Sequence, residues 1–119
     1  MQDFRKLKVW EIGHLLALAV YKVTRTFPRE ELYGLTMQMR RTSVSIPTNI
    51  AEGCGRNRDT EFSRFLQIAM GSAFELEYQI LLSRDLGFIN KQTDTMLSEQ
   101  IVQIKQMLTA LIQKLKADS

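Results

Sequence analysis

The sequence predicts an all-α protein, four amphipathic helices folded up-down-up-down into one bundle. Three observations carry that expectation. Apolar residues recur every three or four positions along four long stretches, the period of a helix and not of a strand. Pro28, Gly53, Gly55 and Gly87 fall where those stretches meet. With 119 residues, 45% of them hydrophobic and 24% charged, the chain can bury a core and has room for one domain, residues 1–119.

The first helix is expected over about 9–26. It stops at Phe27-Pro28, because the residue before a proline is pushed out of the helical region. Pro28 or Arg29 then opens the second helix, with Glu30 and Glu31 in its first turn, where the dipole favours anions. That helix is expected over 29–53, stopped by Gly53-Cys54-Gly55, with a bend at Pro47. The third is expected over 59–86, with Asp59 as its cap and Gly87 as the left-handed residue that ends it. Asn90 caps the fourth, over 91–116. Helices two and three would each be about 40 Å long. The short connections make neighbours antiparallel.

The fourth helix has one apolar stripe, Leu97, Ile101, Ile104, Leu108, Leu111 and Leu115, opposite a wet face rich in Gln and Lys. The other three carry two. The first pairs Ile12, Leu15, Leu16, Ala19 and Val23 with a second line of Trp10, Ala17 and Tyr21. The second pairs Leu32, Leu35, Met39, Ile46 and Ile50 with Tyr33, Met37, Val44 and Ala51. The third pairs Phe62, Leu66, Ala69, Ala73, Leu76 and Ile80 with Met70, Phe74, Tyr78 and Leu81. A bundle helix needs one buried stripe. Second stripes point to contact between copies, with Trp10, Tyr21, Met37, Phe74 and Tyr78 as the interface. The alternative is a plump core covered by side-chain stems.

Several function classes fall away. No stretch of eighteen apolar residues exists to span a membrane. The start, Met1-Gln2-Asp3-Phe4-Arg5-Lys6, lacks the apolar region of a secretory signal. One Cys and one His suit a reducing cytoplasm and make no metal site, and no cofactor motif or small-molecule substrate is evident. His14 sits between Trp10 and Tyr21 as a packed or interfacial histidine. Gly53-Cys54-Gly55-Arg56 follows a helix and matches no phosphate loop. Cys54 fills a turn, the alternative being a thiol acidified by Arg56. Glu52 and Glu75 are a conceivable acid–base pair that no spacing singles out. Catalysis has no support here.

A polar line on the second helix, Gln38, Arg41, Ser45, Asn49 and Glu52, shares one face. A comparable line on the third includes Ser72 and Glu75. If the lines meet, Arg41 pairs with Glu75 or Glu52 and Asn49 bridges to Ser72, a network that fixes register. The alternatives are a solvated face, or a ligand or RNA contact. Basic residues crowd the N-terminus (Arg5, Lys6, Lys8), the second helix (Arg40, Arg41) and the turn to the third (Arg56, Arg58, Arg64). The net charge is a modest +3, with eleven Lys/Arg against seven Asp/Glu in 1–64 and five against six in 65–119. In a ring of subunits each cluster is multiplied, and Lys6, Lys8, Arg40, Arg41, Arg56, Arg58 and Arg64 become candidate phosphate contacts.

The run Gln38-Met39-Arg40-Arg41-Thr42-Ser43-Val44-Ser45-Ile46-Pro47-Thr48-Asn49-Ile50-Ala51-Glu52-Gly53 resembles the central motif of the four-helix bundle proteins encoded in intervening sequences of bacterial 23S ribosomal RNA genes. So do Leu7-Lys8-Val9-Trp10, Tyr21, Phe27-Pro28 with Glu31, Gly71-Ser72 with Glu75-Leu76-Glu77, and Asp85-Leu86-Gly87-Phe88-Ile89. The likeness covers nearly the whole chain, and Cys54 stands where the family varies. It implies a left-handed up-down-up-down bundle, a ring-shaped homo-oligomer (a pentamer), and kinship with the accessory protein of diversity-generating retroelements, a basic pentamer that binds nucleic acid. It brings no catalytic residues and no contact residues. Two functions remain open: a module that binds structured RNA, ribosomal RNA included, and a protein-interaction scaffold without nucleic acid.

Overall fold

Helices form where the apolar period runs, and the computed structural model describes them over residues 2–118; Met1 and Ser119, the outermost residues of the expected 1–119 domain, lie outside the described residues. They are α1 (Lys8–Thr24), α2 (Met37–Cys54), α3 (Asp59–Asp85) and α4 (Lys91–Asp118), and no strand occurs among the described residues. Contacts across facing helices run in opposite chain directions, which makes neighbours antiparallel. Arg40 of α2 meets Thr24 of α1, Ser45 of α2 meets Ser72 of α3, and Lys105 of α4 meets Glu77 of α3. Each helix packs on two neighbours, in the cycle α1–α2–α3–α4–α1. The result is a rod 46 × 23 × 20 Å.

The helix ends follow local chemistry. Gly87, at φ 78°, ends α3 with paired bonds: Phe88 N–H donates to Ser83 C=O at 2.9 Å and Gly87 N–H to Arg84 C=O at 3.0 Å. The Asn90 side chain accepts from Thr93 N–H at 2.8 Å and caps α4. Asp59 does not cap α3. It is the first residue inside the helix, after Arg58, and with Glu61 it faces the positive end of the dipole.

The second helix departs most from expectation. In place of one helix from residue 29, a 3₁₀ turn (Arg29–Glu31) runs into a π-type turn (Leu32–Thr36), and α2 begins only at Met37. Gly34 breaks the geometry, at φ −113° and ψ −113°. Glycine inside a helix has the most conformational freedom to lose, so helical propagation fails there first. The Glu31 carboxylate takes over by accepting from Leu35 N–H at 3.1 Å. With 18 residues, α2 is therefore about 27 Å long, against about 40 Å for α3. Pro47 lies within α2, which continues helical to Cys54.

The core is one cluster shared by all four helices. Met39, Ile46 and Ile50 of α2, Leu66, Ala69, Ala73 and Leu76 of α3, and Leu97, Ile101, Ile104 and Leu108 of α4 are wholly buried. Helix α1 is turned from the expected setting. Val9, Ile12, Gly13, Leu16, Ala17 and Val20 face inward, while Leu15 is 47% exposed. The cause is Gly13, where a Cβ would lie 3.3 Å from Ile46 Cγ2 and 3.7 Å from Pro47 Cδ. A Cβ there would press on Ile46 while merely touching Pro47, so the face without a side chain takes the close approach to α2 and Leu15 turns out. Helix α2 makes the same demand of its other neighbour, since a Cβ on Gly53 would meet Phe62 Cδ1 at 2.8 Å and Phe65 Cβ at 3.1 Å.

Gly53→Ala overpacks that crossing. It should lower stability by about 1–3 kcal/mol, read as an earlier urea midpoint with an unchanged slope.

Candidate functional site

Three features stand out: a polar seam, two apolar faces and two basic ends. The seam lies between α2 and α3. Ser45 Oγ and Ser72 Oγ are 2.8 Å apart, and the Asn49 amide donates to Ser45 C=O at 2.8 Å and to Ser45 Oγ at 3.0 Å. Asn49 thus reaches Ser72 through Ser45. One turn and more along, the Thr42 hydroxyl donates to Gln38 C=O at 2.8 Å and lies 3.3 Å from Glu75 Oε2, which also accepts from the Gln79 amide at 3.4 Å. Gln79 is 5% exposed, and its Oε1 has no partner among the described residues.

Arg41 does not join the seam. It is exposed, and neither Glu75 nor Glu52 is its partner. Glu52 instead pairs with Arg56 one turn on, at 3.1 Å. From Thr42, which touches Glu75, to Glu52 is about 15 Å along α2, too far for one acid–base site. Gln38 contributes only its main-chain carbonyl.

The first apolar face lies on α3, where Phe74 is 56% and Tyr78 59% exposed, with Leu81 beside them. Lys105 covers part of it, its ammonium 4.3 Å from the Phe74 ring centre while it pairs with Glu77 at 3.0 Å. The second is a groove of about 580 Å³ between α1 and α2, walled by Trp10, Leu18, Tyr21, Val44, Pro47 and Ala51. Trp10 is half-buried, its ring stacked on His14 at 5.1 Å with Phe4 edge-on at 4.8 Å. Met37 is exposed beyond Tyr21, in the adjoining depression. Because α1 and α3 sit diagonally in the cycle, these two faces are on different sides of the rod.

Topology divides the seven candidate basic residues. The start of α1 and the α2–α3 turn share one end, where Gln2 N–H bonds Cys54 C=O at 3.2 Å. Lys6, Lys8, Arg56, Arg58 and Arg64 are there. Most are occupied: Lys8 pairs with Glu11 at 3.5 Å, Arg56 with Glu52 at 3.1 Å and Glu61 at 3.9 Å, and Arg56 and Arg64 both stack on Phe65. Lys6 and Arg58 are exposed without an ion pair among the described residues. Arg40 and Arg41 lie at the other end. Arg40 is held by the end of α1, donating from Nε to Thr24 Oγ1 at 2.9 Å with its guanidinium 4.8 Å over the Tyr21 ring.

Sequence reasoning missed Arg25 and Arg29. Both are exposed and line a depression of about 450 Å³ with Arg40, Thr24, Pro28 and Thr36. The signal was present as arginines on both sides of Phe27-Pro28, since a hairpin there brings its flanks together.

Burial pushes the Cys54 thiol above its ordinary 9.0, and the Asp3 carboxylate adds to it, so Arg56 does not acidify it. Among the described residues no group of three or more His, Cys, Asp and Glu could hold a metal ion. No helix among them is long and apolar enough to cross a membrane.

The sequence profile of the 23S rRNA-intervening sequence protein family matches residues 5–110. A solved structure, a protein of unknown function from the S23 ribosomal protein family of Bacteroides thetaiotaomicron, superposes with a TM-score of 0.82 at 22% identity, over 88% of this chain and 95% of that one. At that identity the likeness shows the fold. Among curated proteins, none matches the chain.

If the seam sets register, Ser45 and Ser72 act as a pair. A cycle of Ser45→Ala, Ser72→Ala and the double variant should return a coupling of about 0.5–1.5 kcal/mol in urea unfolding; simple additivity would show that the hydroxyls contribute separately.

Proposed function

The chain belongs to the 23S rRNA-intervening sequence protein family, and from that premise we propose that it is a non-enzymatic homo-oligomer that binds RNA as an accessory protein. The observation that carries the assembly is the pair of unlike apolar faces. Phe74, Tyr78 and Leu81 on α3 form a ridge, while Trp10, Leu18, Tyr21 and Val44 wall a groove on another side. Exposed apolar patches of this kind mark interfaces. A ridge seated in the groove of the next copy is a head-to-tail contact, which closes into a ring when the rotation permits. Five copies is the number the family likeness implies.

RNA enters through the family's connection with ribosomal RNA genes and through charge at both ends of the rod. A ring repeats each end in every subunit, so a weak basic patch becomes a belt facing phosphates. Ribosomal RNA is the target this reading favours, in the cytoplasm where it is found.

The scaffold reading has an observation of its own. Lys8, Arg5 and Arg56 are neutralised by Glu11, Asp3, Glu52 and Glu61, as expected where charge serves solubility and the partner is another protein.

Filter or anisotropy binding to a ribosomal RNA fragment separates the two. RNA binding should weaken with a log–log salt slope of about −2 or steeper, about −0.7 to −0.9 per phosphate neutralised. Absence of binding at low salt leaves the scaffold reading.

Phe74→Glu and Trp10→Ala should lower the native mass in light scattering while helical circular dichroism is retained. A native mass equal to one subunit in the unaltered protein would overturn the ring.

A further inference from the structure

Net charge is not spread over this molecule. Residues 22–41 hold five basic groups (Lys22, Arg25, Arg29, Arg40, Arg41) against two acidic ones (Glu30, Glu31), a net of +3. The rest of the chain then holds 16 − 5 = 11 basic and 13 − 2 = 11 acidic groups, and sums to zero. The segment that turns α1 into α2 thus carries a charge equal to the protein's whole excess, with Arg25, Arg29, Arg40 and Arg41 lining the corner and Lys22 the α1–α4 side.

We propose that this corner is a binding site for single-stranded nucleic acid, with backbone phosphates on Arg25, Arg29 and Arg41 and a base stacked on Tyr33. The proposal rests on the nucleic-acid reading above and gives it a location and a strand state.

The geometry has three parts. The first is a set of uncommitted cations. Arg25, Arg29 and Arg41 are exposed and make no ion pair among the described residues. Of the nearby acids, Glu31 is engaged by Leu35 N–H at 3.1 Å, and Glu30 is exposed to solvent. The second is a pre-set cation. Arg40 is fixed on Thr24 and the Tyr21 ring, and its guanidinium keeps N–H groups beyond those contacts. It lines both depressions at this corner, one of about 450 Å³ with Arg25 and Arg29, the other of about 300 Å³ with Arg41 and Tyr33. Leu32 and Thr36 line both as well, so the two are one continuous surface.

The third part is an aromatic platform. Tyr33 is 82% exposed, more than any other large apolar side chain described. It projects from the irregular Leu32–Thr36 turn where Gly34 interrupts the helix, so the break that shortens α2 also presents this ring. An open ring beside arginines is how single strands are held, bases on the aromatic and phosphates on the cations. A duplex keeps its bases stacked and gives the ring nothing to hold.

The test is fluorescence anisotropy with a labelled oligouridylate of about 12 nucleotides and a blunt RNA duplex of the same length, over about 50 to about 200 mM salt. The proteins are the unaltered chain, Tyr33→Ala, Arg25→Ala/Arg29→Ala, and Lys6→Ala/Arg58→Ala at the opposite end. Tyr33→Ala should weaken oligouridylate binding by about 5- to 150-fold, the value of one stacked base, with the salt slope unchanged. Arg25→Ala/Arg29→Ala should flatten the slope by about 1.4, or about 0.7 per phosphate on a single strand. Lys6→Ala/Arg58→Ala should weaken oligouridylate binding less than either corner variant, and the duplex should bind more weakly than the single strand. If affinity falls only with Lys6→Ala/Arg58→Ala, the corner is not the site while RNA binding stands. If the corner variants lower native mass but not affinity, the corner is a subunit contact and the proposal is overturned. If neither probe binds the unaltered protein at the lowest salt, RNA binding itself falls, and this site with it.

Discussion

Where α2 lies against α3, small side chains let two backbones approach and polar ones meet across the contact. Ala69, Ser72 and Ala73 of α3 present little bulk, and the Ser45–Ser72 contact marks the register at 2.8 Å. Gly53 and Phe62–Phe65 close one end of this contact, and Met39, whose sulfur accepts from the Ser83 hydroxyl at 3.2 Å, lies toward the other. A slide of one turn would separate Ser45 from Ser72 and Thr42 from Glu75, at the cost of these cross-helix hydrogen bonds. Burial drives the contact, and hydroxyls meet across it at two points, Ser45 with Ser72 at 2.8 Å and Thr42 with Glu75 at 3.3 Å.

The other helices take their positions from this pair. Gly13 and Pro47 set how closely α1 approaches α2, and α4 fills the remaining side with a single apolar stripe and an Arg84–Asp94 pair at 2.9 Å near its start. Four helices need one buried stripe each. What α1, α2 and α3 carry beyond that stays outside as the ridge and the groove. The surplus is a consequence of composition, and it is the physical basis for proposing an assembly.

Charge and apolar surplus are separated along the rod. The ridge and most of the groove run down its sides, whereas cations without an ion pair lie at its ends, Arg25, Arg29 and Arg41 at the α1–α2 corner and Lys6 and Arg58 at the other. An assembly made through the sides leaves the ends open. On the proposed reading, side faces make the ring and ends meet the phosphates, the two adjoining at Tyr21, which lines both the groove and the corner.

Much of the bundle was legible in the residues alone. Gly87 and Asn90 act at helix ends through contacts within one turn, and the apolar stripes of α3 and α4 repeat with the helical period, so each is a local property of the chain. Even the break at Gly34 had a local signal, a glycine inside a helical pattern, outweighed by the regular pattern around it. The polar line of α2 was visible too, but not its partners. Arg41 stays apart and Glu52 turns to Arg56, because a pair is decided by distances through space that a single helix does not contain. The rotation of α1, which leaves Leu15 outside and Ala17 inside, comes from the Gly13–Pro47 crossing. The meeting of Arg25, Arg29 and Arg40 likewise needs the hairpin closed. Sequence determined which segments are helical and where they end, since those energies lie within a turn. Tertiary structure decided which face turns inward and which charges remain unmatched, since those depend on what the neighbouring helix presents.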